Sequence, residues 1–73
     1  MIACEVTWVE AVPTAPVRAY GKIRYAATEA LCTVYPAGDR LKAVFIEPQR
    51  AVTAGQALVL YDGDRVLGGG VII

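Results

Sequence analysis

Four side chains alternate with small apolar ones between Val17 and Tyr25: Arg18, Tyr20, Lys22 and Arg24. Successive side chains of an extended strand point to opposite faces, so this spacing gathers three cations and a tyrosine on one face. Val17, Ala19, Gly21, Ile23 and Tyr25 fall on the other. Cations neutralise phosphates, and an interleaved aromatic ring offers a π-face to an unstacked base. A solvated strand face carries the same pattern, so a nucleic-acid strip and an ordinary surface both fit it. Arg50, in a long polar loop with few other charges nearby, could reach a phosphate, a carboxylate such as Glu47, or a neighbouring domain.

Other reactive residue types lead to no catalytic or metal site. Cys4 and Cys32 are the two cysteines, and the chain has no histidine. A reactive thiol needs a nearby cation, a helix N-terminus or a histidine to lower its pKa. Cys32 lies in an apolar run and is expected to be a small buried hydrophobe, with both thiols free. Asp62 and Asp64 flank Gly63, which is turn chemistry, because a metal site needs more oxygen ligands than this turn offers. Gly68-Gly69-Gly70 lacks the following helix that a phosphate-cradling loop requires.

The elements that must hold these residues are strands. No window carries an apolar stripe of helical period over three turns, whereas β-branched and aromatic residues come in short runs divided by turn residues. Six strands are predicted, at about 4–10, 17–25, 30–35, 41–46, 57–61 and from 66 to the end, the last interrupted by its glycines. Pro13 and Pro16 mark the first connection. Ala37–Arg40 and Asp62–Arg65 read as hairpin turns, and Gly55 as a turn with positive φ entering the fifth strand. The segment Ala57–Tyr61 shows no alternation, which predicts cover on both faces. The three glycines fit a bulge, or a place where another backbone comes close, as barrel closure requires. The fold class is all-β: a small, closed or nearly closed six-stranded antiparallel barrel, with residues 1–73 as one domain.

Composition sets further bounds. The 73 residues are 56% hydrophobic and 19% charged. A chain of this size buries only roughly 60–65% of its extended surface. The apolar surplus therefore predicts a face turned towards another domain or a second copy. Seven basic and seven acidic residues cancel, so any attraction to nucleic acid must come from charge placement. No stretch approaches the ~18 apolar residues of a membrane span, and the N-terminus lacks the basic start of a signal peptide. A cytoplasmic domain with no membrane partner is expected.

The run Glu47–Ile72, EPQRAVTAGQALVLYDGDRVLGGGVI, closely resembles the C-terminal segment of the bacterial tRNA-specific 2-thiouridylases, also labelled tRNA (5-methylaminomethyl-2-thiouridylate)-methyltransferases. That family carries EPQRAVTPGQ, then VFYDGD, then LGGG before an isoleucine. Trp8-Val9 resembles its tryptophan-containing start, and Lys22-Ile23-Arg24-Tyr25 its K-x-R-Y-R motif, so the likeness spans about residues 8–73. Three positions depart. Ala26 stands where the family has an arginine, removing a cation, Ala54 replaces a turn proline, and Leu60 replaces an aromatic residue.

The resemblance implies a barrel similar to the second domain of elongation factors, serving as the C-terminal domain of a larger enzyme. In that family the full enzyme activates C2 of the wobble uridine with ATP and delivers sulfur from a cysteine persulfide. The ATP-binding loop S-G-G-x-D-S-S is missing from this sequence. The implied role here is therefore accessory and non-catalytic, with no cofactor of its own. Implied partners are tRNA and the catalytic and central domains of a parent chain. A purely structural docking or self-association module is the alternative.

Overall fold

The structure, a computed structural model, describes residues 1–23, 29–49 and 52–73. Six strands run in chain order: β1 (Ile2–Trp8), β2 (Val17–Ile23), β3 (Ala30–Ala37), β4 (Arg40–Phe45), β5 (Ala57–Asp62) and β6 (Arg65–Ile72). All neighbours are antiparallel, in the order β1-β4-β3-β2-β5-β6, and β6 pairs back onto β1 to close a barrel. The expected fold class is thus met, with closure complete. Closure leaves no free sheet edge to recruit another chain.

Alternation fills the interior. Ala19, Gly21 and Ile23 of β2, Cys32 and Val34 of β3, Leu41 and Ala43 of β4, and Leu58 and Leu60 of β5 point inward and are buried. Among the described residues no polar or charged residue is buried. At Gly21 the barrel is so tight that a Cβ would come within 2.8 Å of the Phe45 ring.

β1 achieves the same filling by breaking its own period. Strict alternation from the buried Ala3 would send Glu5 into the core. Instead the register with β6 slips between Cys4 and Thr7, and Glu5 takes φ 51°. The extra residue turns Glu5 outward and brings Val6 and Trp8 round to pack on the core. The Val6 amide donates to the Asp39 carbonyl at 3.0 Å, pinning this bulge to the β3–β4 hairpin.

β6 runs unbroken through its three glycines, contrary to the expected interruption, because they form ladder pairs with β1 and β5. A Cβ on Gly69 would collide with the Leu58 carbonyl, and one on Gly70 would lie 2.7 Å from that of Cys4. The glycines are where neighbouring backbones come too close for a side chain. Both hairpins place a glycine with positive φ first in a two-residue turn, Gly38-Asp39 and Gly63-Asp64, as a type II′ turn demands.

Several boundaries move. β1 begins and ends two residues early, and β3 continues through Pro36, which pairs with Leu41. β5 alternates after all: Leu58 and Leu60 are buried while Ala57, Val59 and Tyr61 lie half-exposed on the outside. Its unbroken apolar run thus includes an outer face that the described residues cover only in part.

Candidate nucleic-acid interface

Arg18, Tyr20 and Lys22 emerge together on the outer face of β2. Arg18 and Tyr20 are exposed and Lys22 half-buried, while Ala19, Gly21 and Ile23 turn inward. Arg24 and Arg50 lie outside the described residues.

Register brings further side chains to this face that the strand-by-strand reading missed. Tyr20 stands between Leu31 of β3 and Tyr61 of β5, its partner across the ladder. Directly opposed side chains sit about 5 Å apart at Cβ, so the two tyrosines form one aromatic platform. Arg18 is level with Thr33 and, beyond it, Val44. One row further on, Tyr35 pairs with Lys42, and both are exposed. Strand spacing places Lys42 about 12 Å from Arg18. Arg40, at the start of β4, shares the parity of Lys42.

Within these three strands the charge is of one sign. β2, β3 and β4 contain Arg18, Lys22, Arg40 and Lys42 and not one carboxylate. Among the described residues the two ion pairs both belong to Arg65, which reaches Asp62 at 3.3 Å and Glu10 at 3.7 Å. None of the four cations of the β2–β4 sheet has a carboxylate partner within 4.0 Å among those residues. A protein of zero formal charge therefore carries three basic, tyrosine-bearing strands, with Asp39 in their hairpin and Glu29 and Glu47 just beyond their ends. The absence of Asp and Glu from three successive strands was visible in the sequence. The hairpin joining β3 to β4 was visible too, but that β2 lies beside β3 was not.

Arg18 also lines a cavity of about 410 Å³ at the end of the barrel, between the β1–β2 connection and the β5–β6 hairpin. Trp8, Val17 and Leu67, all packed against the core, supply its apolar walls. Glu10, Arg65 and Asp62 close its rim. The indole Nε1 of Trp8 is buried with no hydrogen-bond acceptor among the described residues, an arrangement that costs about 1–3 kcal/mol.

The cysteines are placed as expected, both free, Cys32 buried and Cys4 half-buried. Burial pushes the Cys32 thiol above its ordinary value, and a hydrogen bond from the Gly21 backbone partly opposes this. Asp62 serves the hairpin through its bond from Arg65. No group of three potential metal ligands occurs among the described residues, and no helix is long and apolar enough to cross a membrane.

The conserved-looking loop before β5 has a structural role. Thr53–Gln56 forms a turn with Gly55 at φ 93°. The Gln56 side-chain oxygen accepts from the Thr53 amide at 3.0 Å. The Gly55 amide donates to the Ile72 carbonyl at 2.7 Å, and the Ile72 amide to that of Gln56 at 2.9 Å. The glutamine and glycine latch the loop onto the end of β6.

Residues 1–72 match the model of the aminomethyltransferase beta-barrel domain. The chain belongs to that family. Its relatives include a tRNA-specific 2-thiouridylase MnmA of Symbiobacterium thermophilum, 52% identical over 75 residues, covering 99% of this chain and 19% of the relative. A Picosynechococcus protein of the same name is 60% identical over 60 residues, covering 81% of this chain and 17% of that protein. One from Vibrio cholerae is 46% identical over 74 residues, covering 99% and 20%. The chain spans about a fifth of the length of these relatives.

Proposed function

We propose that this barrel is a tRNA-binding accessory domain of a tRNA 2-thiouridylase, and that its β2–β3–β4 outer face meets the RNA. The observation that carries this reading is the set of acid-free strands β2–β4, with Arg18, Lys22, Arg40 and Lys42 lacking a carboxylate partner among the described residues, near Tyr20, Tyr35 and, on β5, Tyr61. Phosphates run over the cations and exposed bases rest on the tyrosines. The name shared by the relatives supplies the substrate class. On this reading ATP-dependent activation and persulfide sulfur transfer at the wobble uridine belong to parts of the parent enzyme beyond this barrel. No residue here would be catalytic.

Salt dependence tests it directly. The triple variant Arg18→Ala, Lys22→Ala, Lys42→Ala should flatten the slope of log affinity for tRNA against log salt by roughly 2–3 units. All three side chains lie on the outer face, so the fold should survive. An unchanged slope would remove the proposed interface.

A second reading has its own observation. The outer face of β5, β6 and β1 carries an apolar trough along Val59, Gly69 and Val71. This suits a docking or self-association module. Sedimentation of the chain distinguishes the two: a monomer that binds tRNA defeats the second as the main role.

A further inference from the structure

We propose that the Trp8 cavity receives one unstacked nucleobase of the bound RNA, a site that deepens the RNA-binding reading and rests on it. Its position argues for this first. Arg18 belongs both to the cavity wall and to the β2 cation strip, so a strand following Arg18 and Lys22 passes the cavity mouth. The size fits as well: about 410 Å³ lies at the small end of ligand pockets.

Charge assigns the parts of the nucleotide. Arg65 is already bridged to Glu10 and Asp62, and these two carboxylates would repel a phosphate entering the cavity. Arg18 has no carboxylate partner within 4.0 Å among the described residues and holds the phosphate outside. The interior suits a neutral, flat group with an apolar body and polar edges. Trp8, Val17 and Leu67 give the apolar walls. Since Trp8 Nε1 is itself occluded, the indole contributes ring surface and no hydrogen bond. Glu10 and Asp62 accept hydrogen bonds, which favours a base with an exocyclic amino group, such as cytosine. Recognition of RNA by splayed, stacked bases is the general mode for unpaired segments.

Trp8 is the sole tryptophan, so its fluorescence reports on the site. The test titrates the chain with a five-nucleotide cytidine RNA and with an abasic strand of equal length. The cytidine strand should bind about five- to a hundredfold more tightly, the worth of one stacked base, and should change Trp8 emission. Ala11→Leu, at an exposed position lining the cavity, should weaken cytidine binding about five- to a hundredfold and abolish the Trp8 response while leaving abasic binding intact. Equal binding of both strands with unmoved Trp8 emission would overturn the base site and leave the phosphate strip standing. Cytidine affinity and Trp8 emission unchanged by Ala11→Leu would also overturn it, by placing every base elsewhere. If neither strand binds, the RNA-binding reading fails and the pocket with it.

Discussion

The two sides of this barrel solve opposite problems. The outer face of β2, β3 and β4 presents long polar and aromatic side chains, four of them cationic. Away from Tyr61, the outer face of β5, β6 and β1 presents an apolar trough of valines and bare glycine backbone, with Glu5 and Thr7 of β1 beside it. On the first side side chains are free to differ, because the inner face alone satisfies the core. On the second, three strands approach so closely that β6 has no room for side chains at Gly69 and Gly70. On the proposed reading, stability is concentrated on the glycine side and recognition on the cationic side. Substitutions on each should separate in their effects.

The largest effect belongs to closure. Gly69→Ala forces a methyl group into the Leu58 carbonyl, and neither backbone can yield without opening the β5–β6 ladder. A loss of about 3 kcal/mol is expected, or roughly 12–24 °C in Tm for a domain of this size, read by thermal denaturation. A change below 1 °C would show that the close approach is not a constraint. Tyr20→Ala comes next and should do the reverse. It should cost about 1–3 kcal/mol of RNA affinity through lost stacking and well under 1 kcal/mol of stability, separable by fluorescence anisotropy and urea denaturation.

Smaller effects sharpen the picture. Ala54 occupies the first central position of the Thr53–Gln56 turn, where proline is favoured ahead of a glycine with positive φ. Ala54→Pro should raise stability by about 0.4–1 kcal/mol without touching RNA affinity. The smallest effect at neutral pH concerns Cys32. Its raised pKa means that the folded state holds the thiol proton more tightly. That contribution is complete below the thiol's ordinary pKa and is lost as pH rises through the raised one. The stability gap between the parent chain and Cys32→Ala should narrow only at alkaline pH, as followed by urea denaturation.

Much of the fold was legible because strand chemistry is local. Alternation from Val17 to Ile23, the two Gly-Asp turns and the positive φ of Gly55 all follow from residue types and short spacings. Where the reading failed, a longer-range contact decided. The apolar run at β5 promised two covered faces, yet among the described residues only Leu58 and Leu60 are fully buried, and Ala57, Val59 and Tyr61 are partly exposed. The glycines mark the close backbone approach expected of them. The interruption expected with it is absent, since pairing on both sides keeps β6 whole with one register shift beside Gly68. The β1 bulge gave no turn residue to announce it, since Glu5 adopts a positive φ unaided by glycine chemistry.

By itself the sequence determined an all-β chain, the two hairpins and the outward face of Arg18, Tyr20 and Lys22, since period two and turn propensity act over a few residues. Tertiary structure alone decided which strands became neighbours. Register set Tyr61 beside Tyr20, and the β2–β3 pairing joined three acid-free strands into one basic sheet. Closure brought Trp8 and the Asp62–Arg65 hairpin, more than fifty residues apart in the chain, around one cavity with Arg18 on its wall. Pairing between strands distant in sequence depends on the closed ring as a whole, and no local pattern encodes it.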